Sequence, residues 1–210
     1  MTSKRELDDQ AVSIAHRFTR LAEAAIDASS MIYMLKAGFL GLLGGTLTLK
    51  TIPSIFAETQ WPALPVTVVD GHSEAHTSEP RPGALLRRAP PAEGADEANS
   101  PVAREADERG AAFRAPTHSG VDERPNDEQL LHFAVGASLP LISDDRALLL
   151  AAAHLGLEYY NSLMMLAFLR YRGRIDEAWH DEALGRLLEI GRYGEDVLRR
   201  FEAISRVLYG

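Results

Sequence analysis

Short apolar runs alternate with helical segments along most of this chain, and carboxylates sit at four of the boundaries. Asp27 follows Ala24-Ala25-Ile26, and Glu58 follows Pro53-Ser54-Ile55-Phe56-Ala57. Asp127 opens the run Leu130-Leu131-His132-Phe133-Ala134-Val135, and the pair Asp144-Asp145 follows Leu139-Pro140-Leu141-Ile142-Ser143. Strands that alternate with helices imply a parallel sheet covered on both faces, because parallel neighbours need long crossover connections. Such sheets bind ligands in the crevice outside their strand C-termini. Carboxylates converging there form an all-oxygen site suited to a hard divalent cation. The pattern therefore points to a metal-dependent enzyme on an α/β frame.

The elements follow from local chemistry. Residues 3–22 carry Leu7, Ala11, Ile14, Ala15, Phe18 and Leu21 at helical spacing, so residues 1–23 read as an amphipathic helix that must dock on something. Ala24 to Ile26 reads as a buried strand. Ser29-Ser30 are placed to cap a helix over Met31–Leu43, which Gly44-Gly45 would end. Thr46–Ile52 reads as a second strand, Pro53 opens a short helix carrying Glu58, and Val66–Val69 reads as a third strand. Residues 71–125 are rich in Pro, Ala and charged side chains, which predicts a mobile insert with a weak helix over 103–113. Order resumes with a helix over 126–137, a strand over 139–143, a helix over 145–155, a strand over 157–160 and a helix over 161–172. Two amphipathic helices, 177–190 and 194–208, complete the chain. The expected domain is thus residues 24–210, interrupted by the insert.

Whole-chain properties exclude some functions. The 210 residues suffice for one compact domain. A formal charge of −8 argues against a broad basic face that grips nucleic acid by charge alone, although metal ions and a local basic strip can hold phosphate. The chain has no cysteine, which removes disulfides and thiolate metal sites and fits a reducing cytoplasm. The apolar stretch 31–49 is interrupted by Lys36 and weakened by four glycines, so it is too short to span a membrane. No apolar signal segment precedes it, and a cytoplasmic protein is expected. The histidines are scattered in a way that resembles no closed zinc site.

Four segments, taken in order, resemble the motifs of the PIN-domain family. The run from Ala25 through Asp27 and Ser29 to Gly38 is similar to its opening strand, first aspartate and following helix. Ile52-Pro53-Ser54-Ile55-Phe56-Ala57-Glu58 resembles the proline-led helix that delivers the second acid. Asn126-Asp127-Glu128-Gln129-Leu130-Leu131 resembles the third acidic helix start, and Leu141-Ile142-Ser143-Asp144-Asp145-Arg146 the last acidic motif. The continuation through His154-Leu155-Gly156-Leu157, Leu163 to Ile175 and Ala183 to Leu208 is similar to a branch near the toxin–antitoxin ribonucleases. The resemblance covers residues 24–70 and 122–208, and the segment between the second and third acids is longer than in a minimal PIN domain.

The resemblance implies a three-layer α/β/α fold with a central parallel sheet, here with an extra N-terminal helix and a C-terminal helix pair. It implies a metal-dependent endoribonuclease that uses Mg²⁺ or Mn²⁺ and hydrolyses RNA phosphodiester bonds. The partners it implies are RNA, an antitoxin or another protein, and for oligomers a second copy of the chain; no membrane is expected. Asp27 and Asp145 are expected as direct ligands because both follow strands expected to be central. Glu58 and Asp127 are expected to act through water or at a second cation. The family's spacing sets the acid two residues after Ser or Thr, which selects Asp145 after Ser143. Asp144 would then point elsewhere or help cap the helix beginning at Arg146, and the choice between Asp144 and Asp145 stays open. Ser29 and Ser143 are placed to hold metal-bound water, and Arg146 to meet phosphate. Against this stand plainer roles, since an aspartate before a helix is most often a cap and Glu58 alone would be a solvated helix residue. Two other functions fit the same residues: a non-catalytic PIN-like binding or regulatory module, and a phosphohydrolase acting on DNA or another nucleotide substrate.

Overall fold

The computed structural model of the chain describes residues 4–70 and 125–209. The expected insert over 71–125 and its weak helix over 103–113 lie outside the described residues, apart from Pro125. Among those described, five strands form one all-parallel sheet in the order β3-β2-β1-β4-β5. They are β1 (Glu23–Ile26), β2 (Thr48–Thr51), β3 (Thr67–Val68), β4 (Leu141–Ile142) and β5 (Tyr159–Tyr160). Helices flank the sheet, an arrangement compatible with a three-layer α/β/α fold.

Strand β1 is the centre of the sheet. Ala25 aligns with Lys50 of β2 on one side and with Leu141 of β4 on the other. Ala24, Ala25 and Ile26 are fully buried, as a strand covered on both faces requires. The chain runs outward from β1 to β2 and β3, then returns across to β4 and β5. The strand order therefore reverses between β1 and β4, and the crevice opens at their C-terminal ends. The expected third strand over Val66–Val69 shortens to two exposed residues, because β3 lies at the sheet edge and pairs only with β2.

Nine helices are described: α1 (Lys4–Phe18), α2 (Ala28–Ala37), α3 (Leu40–Gly44), α4 (Pro53–Glu58), α5 (Asn126–Gly136), α6 (Arg146–His154), α7 (Ser162–Tyr171), α8 (Glu177–Ile190) and α9 (Glu195–Tyr209). Helix α7 is apolar almost all round, and every residue from Ser162 to Leu169 is buried. It packs against α2, α3, α8 and α9, while α5 packs on β1 and touches α4 and α6. The N-terminal helix is not a separate appendage. Phe18 sits edge-on to Phe168 with ring centroids 5.3 Å apart, and 5.7 Å from Tyr160, so α1 is anchored in the common core beside α9.

The helix expected over Met31–Leu43 is two helices. Gly38 adopts the left-handed conformation at φ 91°, and the N–H groups of Gly38 and Phe39 donate to Leu35 O and Met34 O. That closes α2 before α3 begins. Gly44, at the end of α3, faces Pro65 so closely that an added Cβ would meet the Pro65 carbonyl oxygen at 2.6 Å. Gly44→Ala is expected to cost about 1–3 kcal/mol through overpacking. Urea unfolding measures this, and an unchanged midpoint would mean that α3 shifts away from Pro65 freely.

Candidate active site

Asp27 and Ser143 leave β1 and β4 side by side, because Ile26 is in register with Ile142. Asp27 is 3% exposed, and it receives three hydrogen bonds. The Ser30 N–H donates to Oδ1 at 2.8 Å, while the Ser29 and Ser143 hydroxyls both donate to Oδ2 at 2.7 Å. Burial raises the Asp27 carboxyl from its ordinary 3.8 to about 6, and the serine hydrogen bonds hold it back from rising further. Asp27 also caps α2, the role the sequence reading assigned to Ser29-Ser30. Three cap-type residues within four positions leave the choice to tertiary structure, and the one at the end of the central strand takes it.

Ser143 links two acids. Its fully buried hydroxyl donates to Asp27 and accepts the Asp145 N–H at 3.0 Å. Asp145 is exposed, and its Oδ1 accepts from Leu148 N at 2.9 Å, so it caps α6. Of the two roles open to Asp144, helping to cap this helix or pointing elsewhere, it takes the second, and Asp145 makes the cap. Asp144 instead turns inward to Ser30 and Ser162, and burial raises its carboxyl above the usual range.

Asp127 lies in the first turn of α5, exposed to solvent. Partial burial raises its carboxyl first, and the charges of Asp145 and Glu58 add to the shift. Those three carboxylates therefore share one electrostatic neighbourhood. Glu58 ends α4 and accepts a hydrogen bond from Asn126 Nδ2, while Ser54 donates to Gln129 at 3.3 Å, so α4 is tied to α5. Arg146 is exposed at the start of α6, next to Asp145.

Among the described residues, no lysine, arginine or histidine forms an ion pair with Asp27, Glu58, Asp127, Asp144 or Asp145. A group of uncompensated carboxylates at a sheet's switch point has the donor chemistry of a Mg²⁺ or Mn²⁺ site. No three acidic or histidine side chains among the described residues are grouped closely enough to share one ion. Mg²⁺ commonly takes one or two carboxylates directly and fills its octahedron with water. Asp27 and Asp145, joined through Ser143, would be the direct pair, with Asp127 and Glu58 reached through water.

Sequence reasoning passed over four residues that shape this site. Ser30 and Asn126 each hold an acid through a hydrogen bond, Ser162 holds Asp144, and Tyr193 lies close to Asp144. The buried Tyr193 hydroxyl lies beside Asp144, and burial followed by the Asp144 charge makes its phenol proton harder to lose than usual. The serine-rich turns were visible in the sequence, but Tyr193 carried no local signal. A cavity of about 700 Å³ lies at the opposite, N-terminal ends of β1, β4 and β5 and is lined by Arg17, Arg20, Glu23 and Glu158 among others. It contains none of these acids. Comparison with protein-family models, curated proteins and solved structures finds no match to this chain.

Proposed function

We propose that this chain is a PIN-like, divalent-metal-dependent endoribonuclease, acting as the toxin of a toxin–antitoxin pair in the cytoplasm. One observation carries the reading. The Asp27 carboxylate and the Asp145 backbone N–H both bond Ser143 Oγ where the strand order reverses, and Asp127 feels the charges of Asp145 and Glu58. The order of the four acidic segments along the chain supports the same family resemblance.

A bound Mg²⁺ or Mn²⁺ supplies activated water and neutralises charge on the phosphoryl oxygens. The chain's own residues do the rest. Ser143 and Ser29 orient the Asp27 carboxylate, the α6 cap orients Asp145, and Asn126 steers Glu58. Asp127 is exposed, and partial burial followed by the charges of Asp145 and Glu58 raises its proton affinity, which suits it to orient attacking water or accept its proton. Arg146 is exposed beside this group and is the nearest cation in sequence to offer a phosphate contact.

A non-catalytic binding module is the second reading, favoured by the three donors that already occupy Asp27 and by the open spacing of the acids. Cleavage assays separate the two. Single-stranded RNA is expected to be cut with Mg²⁺ or Mn²⁺, spared with chelator, and spared by Asp27→Asn. Uncut RNA with the native protein and either metal favours the binding module; preferential cutting of single-stranded DNA points to a deoxyribonuclease.

A further inference from the structure

Asp144 receives three hydrogen bonds, all from other elements. Ser30 Oγ donates to Oδ2 at 2.9 Å, Ser162 N–H donates to Oδ1 at 3.2 Å, and Ser162 Oγ also donates to Oδ2. Both serines are fully buried. Ser30 lies in the first turn of α2, and its own N–H is the group aimed at Asp27 Oδ1. Ser162 opens α7, whose backbone start is separately capped by Asn161. One side chain therefore ties the end of β4 to the beginnings of two helices.

A carboxylate suits that position for a simple reason. Three donors converge on it, and an ionised carboxylate is a pure acceptor with room for all of them. An amide would turn its NH₂ toward at least one donor. An alanine would leave two serine hydroxyls and a backbone N–H facing nothing in a buried place. The geometry also separates Asp144 from Asp145: the former faces the protein, the latter solvent and Asp127.

We propose that Asp144 is a positioning residue, which clamps the first turn of α2 against β4 through Ser30 and thereby fixes the direction of the Asp27 carboxylate. Its effect on turnover rests on the metal-dependent nuclease reading, whereas its effect on α2 rests on geometry alone. An acid at a reaction centre must be held to within about 0.5 Å, and supporting partners commonly account for about 10- to 100-fold in activity.

The test compares the native protein with Asp144→Ala, Asp144→Asn, Ser30→Ala and the Asp144→Ala/Ser30→Ala double variant. Native-state amide exchange by NMR reads the Ser30 N–H, with the β2 residue Leu49 as reference. Losing the clamp is expected to speed Ser30 exchange by about tenfold relative to Leu49, the size of one lost hydrogen bond. The double variant should be no faster than either single one, since both remove the same tie. With RNA and Mn²⁺, kcat should fall about 10- to 100-fold while KM stays unchanged. Asp144→Asn, which keeps one acceptor oxygen, should recover part of both effects.

Three results would overturn the proposal. Ser30 exchange could be unaffected by Asp144→Ala, or Ser30 and Leu49 could accelerate equally, the mark of plain destabilisation. Mn²⁺ binding, followed by calorimetry, could vanish in Asp144→Asn yet survive in Ser30→Ala, which would make Asp144 a ligand. If Asp144→Ala does not fold, Asp144→Asn and Ser30→Ala carry the same comparison. If the native protein cuts no RNA, the nuclease reading fails and the exchange data alone decide the clamp.

Discussion

Asp27→Asn is expected to gain stability over the native protein as pH rises from about 4 to about 6 when no metal is present. Asp27 is almost wholly buried, its carboxyl is raised from 3.8 to about 6, and no described base compensates it. A group whose folded-state value is raised stabilises the fold while protonated. That contribution is complete below the unfolded value and is lost as pH climbs through the folded one. Two pK units correspond to about 3 kcal/mol. Asparagine carries no charge to desolvate, so the difference between variant and native should be near its minimum at pH 4 and level off above pH 7. Urea unfolding at a series of pH values in chelator measures it. A pH-independent difference would mean that Asp27 titrates normally and that its burial costs nothing. Metal binding should act against this trend, since a cation replaces the proton as the partner of the carboxylate.

The second large effect concerns Asp145. It caps α6 through Leu148 N and also stands beside Asp127. Asparagine caps a helix as well as aspartate does, so Asp145→Asn removes the charge and keeps the cap. Metal-free stability should therefore hold or rise slightly. Mn²⁺ at a hundred times its Kd should stabilise the native protein by about 2.7 kcal/mol, and a tenfold loss of affinity would remove about half of that. For a chain of this length those energies correspond to shifts of several degrees in Tm, by about 2–4 °C per kcal/mol. Asp145→Ala loses the cap as well and should be less stable by about 1 kcal/mol without metal. Thermal melts with chelator and with Mn²⁺ decide the matter. Equal metal shifts in native protein and Asp145→Asn would leave Asp145 a cap and nothing more.

What could be read from the residues was the layout. The apolar runs ending at Asp27 and Asp145 marked the two strands that border the crevice, and most helix spans fall within a few residues of their expected bounds. Periodicity reports which face is buried, and these elements are mostly governed by that. The misses have two causes. The cap of α2 and the break at Gly38 are made by local bonds among several residues able to make them, whereas the inward turn of Asp144 depends on partners distant in the chain. Ser30 lies 114 residues from Asp144, and Ser162 lies 18 from it. Neither separation leaves a local pattern. Strand β3 fell short because an edge strand stops where its neighbour stops offering hydrogen bonds, whatever its own propensity.

The two sides of β1 differ in how far along the chain their partners lie. Thr51 reaches Ile26 across 25 residues, whereas Ser143 reaches Asp27 across 116. Closing the longer loop costs more chain entropy, and contacts of high sequence separation form slowly. The β1–β2 side therefore has the kinetic advantage in folding, and the acids at β1 and β4 come together only when the longer loop closes. Until then Asp27 lacks its Ser143 partner. Any chelating power the protein has is born with that last closure.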